Sequence, residues 1–124
     1  MKELFIPYEQ ALEIKNLGFG KRCIAWYDNQ GILCSDLIFG YRQKDMEIGE
    51  CIAPLYSQAF AWFRENYNFH HYIEPINMDG KVRYEYCVVN SSDDNKEFNE
   101  DIAYEYEDAE IECLKQLINL IKNK

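Results

Sequence analysis

Two turn motifs constrain this chain more than any other feature. Asn29-Gln30-Gly31 and Asn77-Met78-Asp79-Gly80 each separate two runs rich in β-branched and aromatic residues. That arrangement folds as a β-hairpin, and Asp-Gly is among the strongest turn dipeptides. The first turn predicts strands over Arg22–Asp28 and Ile32–Phe39, the second over Tyr72–Ile76 and Lys81–Val89. In the second hairpin, Lys81-Val82-Arg83-Tyr84-Glu85-Tyr86 alternates polar and apolar residues, which implies one wet face. Ile32–Phe39 is apolar on both phases over much of its length, the pattern of a central strand or one covered on both sides.

Three segments flanking the hairpins carry helical spacing. The first is predicted over Pro7–Leu17, with Pro7 suited to the start and Gly18 to the residue past the end. Its inward residues would be Tyr8, Ala11, Leu12 and Leu17. The second is predicted over Pro54–Tyr67, with Leu55, Ala59, Phe60, Trp62, Phe63 and Tyr67 covering more than half its circumference. The third is predicted over Glu107–Lys122, with an apolar stripe of Ala109, Cys113, Leu114, Leu117, Ile118 and Ile121. The order is α-β-β-α-β-β-α, an α+β fold with three helices on one mainly antiparallel sheet.

A chain of 124 residues is expected to form a single domain, 1–124, with its own core. Tyr8-Glu9-Gln10-Ala11-Leu12 matches Tyr56-Ser57-Gln58-Ala59-Phe60, and Gly31 and Gly80 follow at nearly the same interval. A helix–hairpin unit used twice would produce this pattern; so would chance in a tyrosine-rich chain. Two connections are long, Gly40–Ala53 and Asn90–Ala103, and a further short strand fits near Phe98–Tyr106. Connections of that length are often functional or mobile. An exposed hairpin edge would allow a homodimer.

Charge is distributed unevenly. Between Asp93 and Glu112 ten acids face the single base Lys96, which accounts for the whole formal net charge of −9. Two readings fit this band. The acids at the start of the third helix complement its dipole by ~0.3–1 kcal/mol each, and the rest solvate a loop. Alternatively a partner reads the band, and its candidate contact residues are Asp93, Asp94, Glu97, Glu100, Asp101, Glu105 and Asp108. A sequence pI near 4.7 opposes direct nucleic-acid binding and docking on an anionic membrane.

No phosphate-binding glycine loop, zinc signature, nucleophile elbow or calcium-loop pattern occurs, so no cofactor, metal or catalytic residue is expected. His70 and His71 are adjacent, and on a strand they point to opposite faces and cannot chelate one metal together. Glu74 is the nearest carboxylate for either. The five cysteines lack CxxC spacing and are expected to be reduced thiols of a cytoplasmic protein. Cys51, in a polar connection, is the expected exposed one. Trp26, Tyr27, Trp62, Phe63, Tyr84 and Tyr86 would either fill the core or line a small-ligand pocket. No apolar run reaches the ~18 residues of a spanning helix.

Three blocks, IPYEQALEIKNLGF (Ile6–Phe19), APLYSQAFAWFREN (Ala53–Asn66) and YEDAEIECLKQLINLIKNK (Tyr106–Lys124), resemble a group of short bacteriophage, prophage and Bacteroidetes-type proteins. Members of that group carry IPYEQAL, APLYQQAFRWFRE and YEEAELACLKKLIE in the same order. Ser57, Ala61, Ile111 and Glu112 depart from those patterns. The plan is also similar to small phage α/β/α sandwich domains. The resemblance implies a phage-type context and carries no catalytic residue. The function expected is a non-enzymatic protein-binding accessory module acting through residues 93–112. The alternatives are a nucleic-acid mimic that occupies the basic groove of a host protein, and an aromatic small-ligand domain.

Overall fold

The computed structural model describes residues 2–36, 40–90 and 100–123. Among them run α1 (Tyr8–Asn16), β1 (Ala25–Tyr27), β2 (Leu33–Ser35), β3 (Cys51–Ile52), α2 (Tyr56–Tyr67), β4 (Phe69–Met78), β5 (Lys81–Asn90), β6 (Asp101–Ala103) and α3 (Tyr106–Lys122). The fold is α+β and every strand pairing is antiparallel. The strands form two sheets where one was expected, ordered β2-β1-β3 and β4-β5-β6. The chain divides into two compact units, Met1–Ala59 and Phe60–Lys124, and each holds one sheet.

In the first unit Pro7 caps α1 in an extended conformation, and its carbonyl accepts the Ala11 N–H at 2.9 Å. The buried face of α1 is Gln10, Ala11 and Ile14, rotated from the expected one. Tyr8 is only half-buried. It meets Tyr27 edge-on at 5.2 Å and lies against Gly31, where an added Cβ would come within 3.2 Å of it. Gly31 also holds φ +78, so two independent constraints require glycine there. The turn is fastened by Asp28, whose Oδ1 accepts the N–H groups of Gln30 and Ile32 at 2.9 and 3.0 Å.

The central strand here is β1, with Ala25 and Tyr27 buried, and the Tyr27 hydroxyl donates to the Ile6 carbonyl at 2.6 Å. The expectation of a central second strand is corrected: β2 is an edge strand, and its residues are half-buried or exposed. Leu37–Phe39, the rest of that expected strand, lie outside the described residues. The place beside β1 goes to β3, inside the connection that looked irregular. Gln43 makes this possible: its Oε1 accepts the Ile52 N–H at 2.9 Å and its Nε2 donates to the Glu50 carbonyl at 3.1 Å. Cys51 is therefore fully buried, not exposed. Burial pushes its thiol up to about 11 and that of neighbouring Cys23 to about 12. The half-exposed thiol is Cys34.

The helix α2 begins at Tyr56, two residues later than expected, because Pro54 and Leu55 are engaged in extended pairing. The Pro54 carbonyl accepts the Ile6 N–H at 2.9 Å, and Leu55 bridges Phe5. Gln58 Oε1 then accepts the Leu55 N–H at 3.0 Å and completes the helix start.

In the second unit β4 and β5 pair over ten positions around the two-residue turn Asp79-Gly80. Both turn residues have positive φ, +55 and +80, as a type I′ hairpin turn requires. Asn68, at φ +58, ends α2, and its N–H donates to the Arg64 carbonyl at 3.1 Å. The helix α3 packs on the sheet and buries Ala109, Cys113, Leu114, Leu117 and Ile118, five of the six residues of the expected stripe. Each fully buried Leu or Ile contributes about 1.5–3 kcal/mol. Trp62, Phe63, Tyr67 and Phe69 join this core through ring contacts of 5.1–6.3 Å.

Register assigns the faces of this sheet. Phe69, His71, Ile73 and Pro75 share one face with Asn90, Val88, Tyr86 and Tyr84. This is the α3 side, where Tyr84 meets Tyr106 edge-on at 5.7 Å. The opposite face carries Tyr72, Glu74, Ile76 and Met78 with Cys87, Glu85, Arg83 and Lys81, and β6 adds Ile102 opposite Glu85.

Candidate functional site

The expected partner-binding acids lie on the strand-to-helix corner where β6 leads into α3. Glu100, Asp101, Glu105 and Asp108 are all exposed there, with Glu107 beside them. Asp93, Asp94 and Glu97 lie outside the described residues. The corner is held from beneath. Ala103 is buried opposite Tyr84, and Asp101 pairs with Tyr86 along the short β6–β5 ladder. Glu105 occupies the N-cap of α3 without a side-chain bond, and its carbonyl accepts the Ala109 N–H at 3.2 Å. Its carboxylate is thus left outward. Glu107 and Asp108 stand in the first helical turn, where the helix dipole favours negative charge.

Tertiary structure gathers these acids around tyrosines. Asp101 and Glu112, on different elements of the acidic stretch, both act on the Tyr86 phenol, which is raised above its ordinary value by burial first and by their charge second. Tyr106 is raised in the same way by burial, then by Glu110, Cys113 and Glu107. Tyr72 is pushed up to about 12, again by burial and then by Cys87, Glu100 and Glu85. Glu110 itself is raised by burial and by Glu107. Burial first and the neighbouring charges second thus disfavour ionisation of Tyr86, Tyr106 and Tyr72. Between the acids stand the exposed apolar groups Ile102, Tyr104 and Tyr106, with Tyr104 75% exposed.

Other candidate chemistry is not assembled. The His71 ring stacks on Phe60 at 3.6 Å, and no hydrogen-bond partner reaches its buried Nδ1 among the described residues. His70 faces the other way, with Nε2 3.1 Å from Asn68 Oδ1. Glu74 shares the face of His70 but lies four residues along the strand, about 13 Å at ~3.3 Å per residue. Among the described residues no group of three His, Cys, Asp or Glu side chains could hold a metal, and no helix is long and apolar enough to cross a membrane. Of the six aromatics weighed as pocket walls, Tyr27, Trp62, Phe63 and Tyr86 are buried in packing. Trp26 meets Tyr41 edge-on at 5.1 Å, and Tyr84 meets Tyr106.

A groove of about 470 Å³ does exist, at the tip of the β4–β5 hairpin. It lies on the sheet face opposite α3 and is lined by Met78, Asp79, Lys81, Arg83, Ile102 and Tyr104. Arg83 places its guanidinium carbon 4.6 Å from the centre of the Tyr104 ring. The sequence alone could not bring residues from a turn, a strand and the far side of an acidic loop together. No family model, curated protein or solved structure matches this chain.

Proposed function

We propose that this chain is a non-enzymatic cytoplasmic protein-binding module, an accessory protein of phage or prophage type. Its contact surface is the β6–α3 corner. The observation that carries the reading is the interleaving of exposed acids with exposed aromatic and aliphatic side chains over residues 100–108. Aromatic anchors supply most of the energy of protein interfaces, while surrounding charges set orientation and partner choice. Solvation and dipole complementarity account for the acids but not for Tyr104 and Ile102 among them. The partner that fits presents a basic rim around an apolar pocket.

The test is an affinity capture from bacterial lysate at low and high salt. The parent chain is compared with a Glu100→Gln, Asp101→Asn, Glu105→Gln, Asp108→Asn variant and with Tyr104→Ala. A specific partner should be reduced roughly tenfold by either variant and should persist in part at high salt, because the apolar anchor is not screened. A partner lost completely at high salt and indifferent to Tyr104→Ala would support nucleic-acid mimicry instead, since that mode is electrostatic alone. Capture unchanged by both variants would reject the corner as the contact surface.

A further inference from the structure

The groove at the hairpin tip shares Ile102 and Tyr104 with the β6–α3 corner, and its other walls, Met78, Asp79, Lys81 and Arg83, lie outside that corner. Lys81 and Arg83 stand two residues apart on β5 and therefore leave the sheet on the same side. Neither forms an ion pair among the described residues, although carboxylates outnumber cations in the chain by nine. Around them Met78, Ile102 and Tyr104 provide apolar walls, all three among the exposed large hydrophobic side chains. The volume of about 470 Å³ falls in the ~300–1,000 Å³ range of small-molecule sites. Two cations without a carboxylate partner among the described residues, beside an aromatic face and an aliphatic floor, form a complementary set. They suit an anionic head joined to a planar body.

The head is better served by a carboxylate than by a phosphate. The Nη1 of Arg83 donates to the Val82 carbonyl at 2.9 Å, which leaves the Nη2 and Nε donors of its planar group for a carboxylate, and Lys81 offers a second point charge. The N–H of Gly80 at the turn already donates to Asn77 Oδ1 at 3.0 Å and is not free to cradle phosphate oxygens. Asp79 on the groove wall and the net charge of −9 penalise a dianion more than a monoanion. We propose that this groove binds a small aromatic carboxylate, with the carboxylate between Lys81 and Arg83 and the ring against Tyr104, Ile102 and Met78.

The test uses the full ¹⁵N-labelled chain, titrated separately with 3-phenylpropionate, phenethylamine and inorganic phosphate to ~10 mM, the weak-binding end of the affinity scale. The expected result is saturable shifts of the Lys81, Arg83, Ile102 and Tyr104 amides with 3-phenylpropionate alone. A Lys81→Ala, Arg83→Ala variant should bind it at least tenfold more weakly, with the remaining amide spectrum unchanged. Absence of saturable shifts would overturn the proposal. Equal response to phenethylamine, which keeps the ring and reverses the charge, would overturn it too. Equal response to phosphate would overturn the aromatic carboxylate and leave a bare anion site. The Lys81→Ala, Arg83→Ala variant removes none of the acidic corner's side chains, so failure here and failure of capture by the corner are read separately.

Discussion

His71 shows how a single side chain couples packing to pH. Burial, reinforced by the positive charge of Arg64 and by His70, holds its imidazole down at about 4, against an ordinary value near 6.5. Below pH 6.5 the unfolded chain takes up this proton and the folded chain does not. Stability is therefore fully present above pH 6.5 and is lost as the pH falls towards about 4. The urea midpoint of the parent chain should drop between pH 7 and pH 5, before most carboxylates titrate. His71→Phe, which keeps a ring against Phe60, should flatten that drop, and an unchanged slope would assign the pH dependence elsewhere. That His70 and His71 point to opposite faces was legible in the sequence, because side chains alternate along a strand. Cys51 was misread because a polar connection hid a two-residue strand. Only Gln43, reaching back to Ile52 and Glu50, reveals that the segment folds inward.

At the scale of elements, β4 illustrates a protected edge. It is the outer strand of its sheet over all ten residues. In a two-residue hairpin the closing pair Met78–Lys81 is hydrogen-bonded, so the outward backbone groups belong to Asn77, Pro75 and Ile73. Pro75 has no N–H to offer and interrupts the row, a common way to keep an edge from pairing with another chain. Replacing Pro75 by Thr should increase self-association in sedimentation velocity relative to the parent chain. Unchanged association would mean that Pro75 is not the guard. Both hairpins and all three helices were legible because turn residues and apolar spacing are local signals. The edge position of β2 was not. An apolar run has the same appearance whether its neighbours are strands, helices or the opposite side of a turn.

For the whole molecule the governing quantity is a net charge of −9 confined to one stretch. Glu105, Glu107, Asp108 and Glu110 crowd the first turns of α3, where dipole attraction and mutual repulsion oppose each other. The carboxyl of Glu110 is raised by burial first and by the charge of Glu107 second, the direction that repulsion within this turn gives. Screening should relieve it: the Tm should rise by a few degrees, roughly 1 kcal/mol in a domain of this size, between low salt and ~0.3 M NaCl. A Glu107→Gln, Glu110→Gln variant should gain less from salt. Equal gains would place the repulsion outside α3.

The sequence by itself determined the α+β class, the three helices, the two hairpin turns and the location of the negative charge. Each of these follows from local spacing, backbone preference or simple counting. Tertiary structure alone decided that the strands separate into two sheets. It also buried Cys51, brought the charges of Asp101 and Glu112 to bear on Tyr86, and assembled Met78, Lys81, Arg83 and Tyr104 into one groove. These outcomes depend on which strands pair and in which register. Long-range pairing is set by the combined burial of many side chains, and no short segment carries that information on its own.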